Sequence, residues 1–172
     1  MGVNVTDRNA ARAAPLAAPN PLFLRDEELT SGLELLDFAH RALMAEADRL
    51  VGRFDLARHH RRILYFVGRQ PGITMAALLE ILQMSKQSLS RLIKELVAKD
   101  LVDRTPDEQD RRQWLLTLTE PGRELDRELN RRLRRRLASA YRAAGVEAVA
   151  GYHQVLLGLV DEPERRHLSG TR

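Results

Sequence analysis

The sequence predicts a mainly α-helical fold with a small β-hairpin. Apolar residues recur at steps of three and four through most of the chain from residue 26 onward, as on the buried faces of helices. The period changes to two only between about residues 101 and 119, where two strands are expected. Just before that change, two predicted helices are separated by only Gln83 and Met84, which is typical of a helix-turn-helix.

A long first helix is predicted over residues 26–52. Its apolar stripe has heptad-like spacing and consists of Leu29, Leu33, Leu36, His40, Leu43, Ala47 and Leu50. Gly52 lies near the expected end of this helix.

Three shorter helices are predicted to follow. The second runs from about Leu56 to Arg69 and stops at Gln70-Pro71-Gly72. Thr74 can cap the third helix, whose apolar residues are Met75, Leu78, Leu79 and Leu82. Ser85 can cap the fourth, which runs to about Lys99.

The predicted hairpin consists of strands over residues 101–105 and 113–119, joined by a polar loop. A helix-turn-helix followed directly by a hairpin is the arrangement of a winged helix, here spanning about residues 56–119. Two long helices follow: the fifth opens at Thr119-Glu120-Pro121-Gly122 and ends near Gly145, and the sixth reaches about residue 162. Both carry apolar stripes, as does the first helix, and part of these stripes must meet another surface.

The fourth helix has one apolar and one polar face. Gln87, Ser90, Arg91 and Lys94 point away from the apolar face, and they are residue types that read base edges. Counting Lys86 and Lys99, four basic residues stand against Glu95, which gives this segment a charge of +3. Double-stranded DNA is the predicted partner of this face, and a solvated polar surface is the alternative.

The hairpin loop offers a second candidate DNA contact. Asp110 lies two residues before Arg112 and is expected to hold the Arg112 guanidinium in a fixed direction, as a narrow minor groove would favour. The alternative is an ordinary charged turn, because Asp107, Glu108 and Asp110 cancel the charges of Arg104, Arg111 and Arg112.

The run from Ser85 to Leu125 resembles the MarR family of winged-helix transcriptional regulators. The matching segments are Leu101-Val102-Asp103-Arg104, Asp110-Arg111-Arg112 and Leu118-Thr119-Glu120-Pro121-Gly122, in this order. The similarity extends over about residues 26–160. Residues 23–29 and 85–89 are similar to the PetP-like subgroup of this family.

The resemblance implies a homodimeric, sequence-specific DNA-binding regulator, often a ligand-responsive repressor, that binds a pseudo-palindromic operator. Its dimerisation lobe would consist of the helices over about residues 26–52 and 120–162. The cytoplasm is the expected compartment, because the sequence shows neither a run of about 18 apolar residues nor a secretory signal. The fourth helix would enter the major groove and Arg112 the minor groove. Asp100 departs from the family, which commonly has glycine there, but aspartate tolerates the left-handed backbone conformation. The candidate DNA contacts are Ser85, Lys86, Gln87, Ser88, Ser90, Arg91, Lys94, Arg104, Asp110, Arg111 and Arg112.

The resemblance also implies a small anionic or aromatic effector, for which His59, His60, Arg61 and Tyr65 are candidate contacts. The alternative is a basic solvent-exposed face with ordinary packing. His40 and His153 occupy positions in apolar stripes, either as a switch between subunits or as packed, hydrogen-bonded residues.

The fifth helix is rich in arginine. Its eight arginines between residues 123 and 142 stand against three acids, which gives this segment a charge of +5. They either contact flanking phosphates or form a solvated face that pairs with Glu27, Glu28, Glu34 and Asp37 of the first helix.

Composition excludes several classes of protein. The 172 residues suit a single domain, with a flexible arm over residues 1–24, a MarR-type domain over 25–165 and a tail over 166–172. The chain lacks cysteine, which excludes disulfides and thiol chemistry. No catalytic motif, metal site, cofactor or membrane contact is expected. A winged-helix dimer that binds proteins without reading DNA remains the alternative function.

Overall fold

The computed structural model describes residues 24–168. Residues 1–23 of the predicted arm and 169–172 of the predicted tail lie outside this range. The chain divides into two units, Met1–Ala39 and His40–Arg172. The predicted domain boundaries stay a prediction.

The first unit contains the beginning of helix α1 (Asp26–Gly52). Asp26, Glu27 and Glu28 lie in its first turn, where negative charge interacts favourably with the helix dipole. Its apolar side chains are largely exposed to solvent, and the most exposed are Leu29, Leu33, Leu35, Leu36 and Phe38.

The second unit contains the end of α1 and the winged helix. Its elements are α2 (Arg58–Arg69), β1 (Ile73–Thr74), α3 (Met75–Leu82), α4 (Lys86–Ala98), β2 (Val102–Pro106) and β3 (Trp114–Leu118). The sheet is antiparallel in the order β1-β3-β2, with Ile73 opposite Leu116 and Arg104 also opposite Leu116. The sheet thus contains the predicted two-stranded hairpin and one further strand, β1, which was not predicted because two residues are too few to show a period.

A single hydrophobic core joins α1, α2, α3, α4, the sheet and α5. Its fully buried side chains include Ile63, Leu64, Leu78, Leu89, Leu96 and Leu116. The predicted inward face of α4 is confirmed, since Leu89, Leu92, Ile93 and Leu96 are all buried. Burying each such side chain stabilises the fold by about 1.5–3 kcal/mol, and this core fixes the orientation of α4.

Two residues in the left-handed backbone region shape the connections around α4. Gln83 has a φ of 50° and ends α3. Asp100 has a φ of 55° between α4 and β2, which confirms that aspartate accepts the conformation for which the family commonly uses glycine. These two residues allow the chain to turn sharply just before and just after α4.

Two long helices and one short helix complete the second unit: α5 (Glu120–Ala144), α6 (Val146–Leu159) and α7 (Glu162–Arg165). Gly145, with a φ of 85°, separates α5 from α6 as predicted. Helix α7 was not predicted, because a four-residue helix is too short to show a period. None of the helices in residues 24–168 is long and apolar enough to span a membrane.

Candidate nucleic-acid interface

Helix α4 presents a polar, cationic face opposite its buried leucines. Five side chains of this outer face line a shallow depression of about 460 Å³, and they are Lys86, Gln87, Ser90, Arg91 and Lys94. Four of them are exposed and Ser90 is half-buried. The core therefore holds in place a surface that carries three cations, an amide and a hydroxyl.

Ser85 and Ser88 organise the beginning of α4. The Ser85 hydroxyl oxygen accepts a hydrogen bond from the Ser88 N–H at 3.2 Å, which caps the helix. The Ser85 hydroxyl also donates to the Ser88 hydroxyl at 2.9 Å. Both predicted DNA contacts thus stabilise the beginning of α4 in the free protein.

Arg91 is the residue of the outer face with a charged partner on its own helix. Its Nη1 donates to Glu95 Oε1 at 2.8 Å, one helical turn further on. The i, i+4 spacing of Arg91 and Glu95 predicts such a pair, but Glu95 was considered only as a charge opposing the basic residues of this segment.

The wing turn has a different organisation from the one predicted. Asp110 accepts hydrogen bonds from the backbone N–H of Arg112 at 3.0 Å and from Gln113 Nε2 at 3.1 Å. The prediction that Asp110 holds the Arg112 guanidinium was wrong, because both carboxylate oxygens instead fix the turn. The hydrogen bond from Gln113 and then that from Arg112 lower the pKa of Asp110.

Arg104 and Trp114 form a cation–π pair on the wing strands. The Arg104 guanidinium carbon lies 4.8 Å from the centre of the Trp114 ring, across the β2–β3 pairing. Arg104 was a predicted DNA contact, whereas its pairing with Trp114 was not predicted. Arg111 and Arg112 are exposed in the loop between the strands.

The four candidate effector contacts on α2 differ in their surroundings. His59 is exposed, whereas His60 is only 4% exposed and hydrogen-bonds to Glu95 at 2.8 Å. Arg61 Nε lies 3.4 Å from Asp48 Oδ1 in a pair that is mostly shielded from water. The Tyr65 hydroxyl accepts a hydrogen bond from Arg69.

Four of the eight arginines of α5 pair with glutamates of the same helix. Arg123 and Arg127 contact Glu120, and Arg131 and Arg132 contact Glu128.

Arg132 and Arg135 also reach Glu46 of α1, at 3.2 Å and 3.6 Å. Pairing with an acid of α1 was predicted, but Glu46 was not among the four acids named for it. A shallow cavity of about 520 Å³ lies along this arginine-rich face of α5.

His153 of α6 contacts Tyr141 of α5. Its Nε2 lies 2.9 Å from the Tyr141 hydroxyl, and the two rings pack edge to face with Tyr152 nearby. His153 is therefore hydrogen-bonded within its own chain. Among the residues that the structure describes, no group of three or more histidine, aspartate or glutamate side chains could hold a metal ion.

The fold and the composition of this site define a winged-helix protein with a cationic helix and a wing. A sequence profile of the MarR family matches residues 54–113, which include α2 to α4, β2 and the loop of the wing but not β3. A relative, the HTH-type transcriptional regulator PetP of Rhodobacter capsulatus, is 43% identical over 146 residues, covering 85% of this chain and 88% of PetP. The chain belongs to the MarR family of transcriptional regulators and is PetP-like, as the sequence motifs predicted.

Solved structures support the fold. A MarR family transcription regulator designated SP03579 superposes with a TM-score of 0.71 at 24% identity, covering 81% of this chain and 93% of that one. Streptococcus pneumoniae FabT, solved in complex with DNA, superposes with a TM-score of 0.68 at 23% identity, covering 76% and 93%. The predicted winged helix-turn-helix fold is thereby confirmed.

Proposed function

We propose that this protein is a sequence-specific regulator that binds a pseudo-palindromic operator as a homodimer and acts as a ligand-responsive repressor. The observation that carries the proposal is the outer face of α4, where Lys86, Gln87, Arg91 and Lys94 are exposed on a helix whose opposite side is buried in the core. A helix held in this way presents the same side chains to every DNA molecule it meets.

The residue types on α4 suit a major groove. Arginine makes bidentate hydrogen bonds to guanine and glutamine to adenine, so Arg91 and Gln87 are the proposed base-reading residues. Lysines interact with phosphates as point charges, which gives Lys86 and Lys94 the proposed role of fixing the helix on the backbone. Further proposed contacts to the DNA phosphate backbone are Ser85, Ser88 and Ser90.

The wing supplies the proposed minor-groove contact. Arg112 follows a backbone turn that Asp110 fixes, so its side chain extends from a defined position. A narrow minor groove attracts a guanidinium through its enhanced negative potential. Arg111 and Arg104 are proposed to contact the adjacent phosphates. FabT, which has the same fold, was solved in complex with DNA, and this supports the proposal that the fold binds DNA.

The proposed dimer rests on apolar side chains that a second copy of this chain would cover. Helix α1 exposes Leu29, Leu33 and Leu36. Helix α6 has no buried residue, and its apolar Val155 and Leu159 are each 64% exposed. Exposed leucine and valine stripes on two long helices are typical of an oligomer interface. A two-fold dimer would place its two α4 helices about one turn of DNA apart.

The dimer is tested by sedimentation of the wild type and of Leu33→Asp. The charged variant should sediment as a monomer at concentrations where the wild type is dimeric. Ala45→Asp introduces the same charge at an exposed position of α1 outside the apolar stripe, and it should remain dimeric. Equal masses for the two variants would contradict the proposed interface.

Effector binding at α2 stays part of the proposal. His59 and Tyr65 are the candidates that an anionic or aromatic molecule would meet first, because His60 and Arg61 already pair with Glu95 and Asp48. Release of DNA in the presence of such a molecule, lost in His59→Ala, would support this role.

The deciding experiment is in vitro selection of random duplex DNA by the wild type and by Arg112→Ala. A palindromic motif that the wild type enriches and the variant enriches poorly supports the proposal. Arg166→Ala removes the same charge at an exposed position close to the carboxyl terminus and serves as the control. Dimeric wild-type protein that enriches no motif would favour the protein-binding scaffold, which the zero net charge of the wing also suits.

A further inference from the structure

Glu95 of α4 contacts two side chains, Arg91 of the same helix and His60 of α2. Its Oε1 accepts a hydrogen bond from Arg91 Nη1, and its Oε2 lies 2.8 Å from His60 Nε2. The Glu95 side chain is 38% exposed, that of Arg91 69% and that of His60 5%. The carboxylate therefore lies at the edge of α4, between the core and the outer face.

His60 is itself fixed, and its tautomer follows from its contacts. The backbone N–H of Ala57 donates to His60 Nδ1 at 3.0 Å, so Nδ1 carries no proton. The proton of the neutral ring is on Nε2, which donates to Glu95. His60 thus caps the beginning of α2 with one nitrogen and orients the Glu95 carboxylate with the other.

We propose that Glu95, oriented by His60, is a positioning residue that aligns Arg91 for base recognition. This inference rests on the proposed function, since it concerns how α4 reads DNA. Arg91 uses one N–H of Nη1 for Glu95, which leaves the remaining guanidinium N–H groups for a ligand. An arginine already held in direction loses less conformational entropy on binding than a freely rotating one.

The negative charge of Glu95 distinguishes a role in base discrimination from a role in general DNA affinity. Glu95 is the only acid in α4, and a carboxylate beside a DNA-binding face weakens general attraction to phosphates. A residue that merely increased affinity would not be negative at this position. Glu95 is therefore expected to lower affinity for all DNA while raising discrimination between the correct base and a wrong one.

The test compares the wild type, Glu95→Ala, Arg91→Ala and the double variant on two duplexes. One duplex is the motif selected by the wild type, and the other carries a substitution at the position where Arg91→Ala loses its preference. Glu95→Ala should lose about five- to tenfold in discrimination, the lower part of what a bidentate base contact supplies. Its affinity for unrelated DNA should be equal to or above that of the wild type.

The double variant separates positioning from a general structural role. If Glu95 acts through Arg91, adding Glu95→Ala to Arg91→Ala changes discrimination no further. If Glu95→Ala lowered discrimination equally in the presence and in the absence of Arg91, the proposal would be overturned. An Arg91→Ala variant that weakens binding to all sequences alike would also overturn it, because Arg91 would then contact phosphate.

Two substitutions of His60 separate its two nitrogens. Asparagine retains an acceptor near the position of Nδ1, and glutamine retains a donor near that of Nε2. Both variants are measured at a temperature where circular dichroism shows them folded. His60→Gln should then keep most of the discrimination between the two duplexes, whereas His60→Asn should lose it to the same extent as Glu95→Ala. The reverse order would overturn the role of His60. A folded wild type without any sequence preference would overturn the proposed function itself, before any variant is measured.

Discussion

Gly122, in the first turn of α5, lies directly against the backbone carbonyl of Leu101. A Cβ atom at position 122 would overlap the Leu101 carbonyl oxygen, which is a backbone atom and cannot turn away as the end of a flexible side chain could. Thr119 strengthens the same junction, because its hydroxyl donates to the Asp100 carbonyl at 2.6 Å and accepts from the Gly122 N–H. The Leu-Thr-x-x-Gly motif thus connects the wing to the long helix.

Gly122→Ala is therefore expected to destabilise the protein although alanine favours helices. Forcing a methyl group against a fixed carbonyl costs about 1–3 kcal/mol, which exceeds the gain of up to about 1 kcal/mol from helix propensity. Thermal unfolding followed by circular dichroism checks this. Gly52→Ala, at a helical glycine where an added Cβ would meet no atom within 4 Å, should be neutral or stabilising. Equal melting temperatures for the two variants would contradict the packing argument.

The motif also shows what the sequence can predict. The spacing of apolar residues placed α1 to α6 within a few residues of their observed bounds, since each helix carries its apolar side chains at helical intervals. The caps at Thr74 and Ser85 were predicted correctly, and Thr119, which was predicted only to open α5, caps that helix in the same way. In each case the hydroxyl acts within three residues of its own position. Each of these signals depends only on residues that are close in the sequence.

Contacts between distant residues were not predictable. His60 was considered as an effector contact, but its partner Glu95 is 35 residues away and nothing near either residue indicates the pairing. The β1 strand exists only because β3 offers its free edge to Ile73 and Thr74. Asp110 was assigned the correct neighbour but the wrong atom, since sequence spacing cannot distinguish a backbone N–H from a guanidinium.

The Asp110 turn leads to a prediction about the wing. Asp110→Ala removes both hydrogen bonds, so Arg112 should lose its defined starting position without losing its charge. Operator affinity should fall by about threefold to tenfold, less than in Arg112→Ala, in keeping with about 1 kcal/mol for lost local hydrogen bonds. Fluorescence anisotropy with labelled operator measures this. Glu108→Ala removes the same charge in the same loop, and a loss as large as that of Asp110→Ala would show that charge alone matters.

The Arg104–Trp114 pair predicts a change in salt dependence. If Arg104 contacts a phosphate, Arg104→Gln should weaken binding to all sequences alike and reduce the slope of log K against log salt by about 0.9. Trp114→Leu retains the cation but removes the ring that orients it, so affinity should fall while the slope stays unchanged. Titrations between low and moderate salt check both variants. An unchanged slope in Arg104→Gln would exclude the phosphate contact.

A last prediction concerns Asp126, a half-buried carboxyl of α5. Burial raises its pKa above the ordinary value of 3.8, although the Asn130 amide and the charges of Arg134 and Arg69 act in the opposite direction. The folded state therefore favours the protonated form more than the unfolded state does. Ionised Asp126 lowers stability above its raised pKa, and this effect disappears as the pH falls towards 3.8.

Asp126→Asn replaces the carboxyl by a neutral group of similar shape. Its melting temperature should exceed that of the wild type by a few degrees at pH 7, and the difference should shrink steadily as the pH is lowered towards 4. Differential scanning calorimetry at one protein concentration measures the difference at each pH. Glu124→Gln, an exposed acid on the same helix, should show no comparable gain. A variant less stable than the wild type at pH 7 would mean that the attraction of Arg134 and Arg69 outweighs the cost of burial.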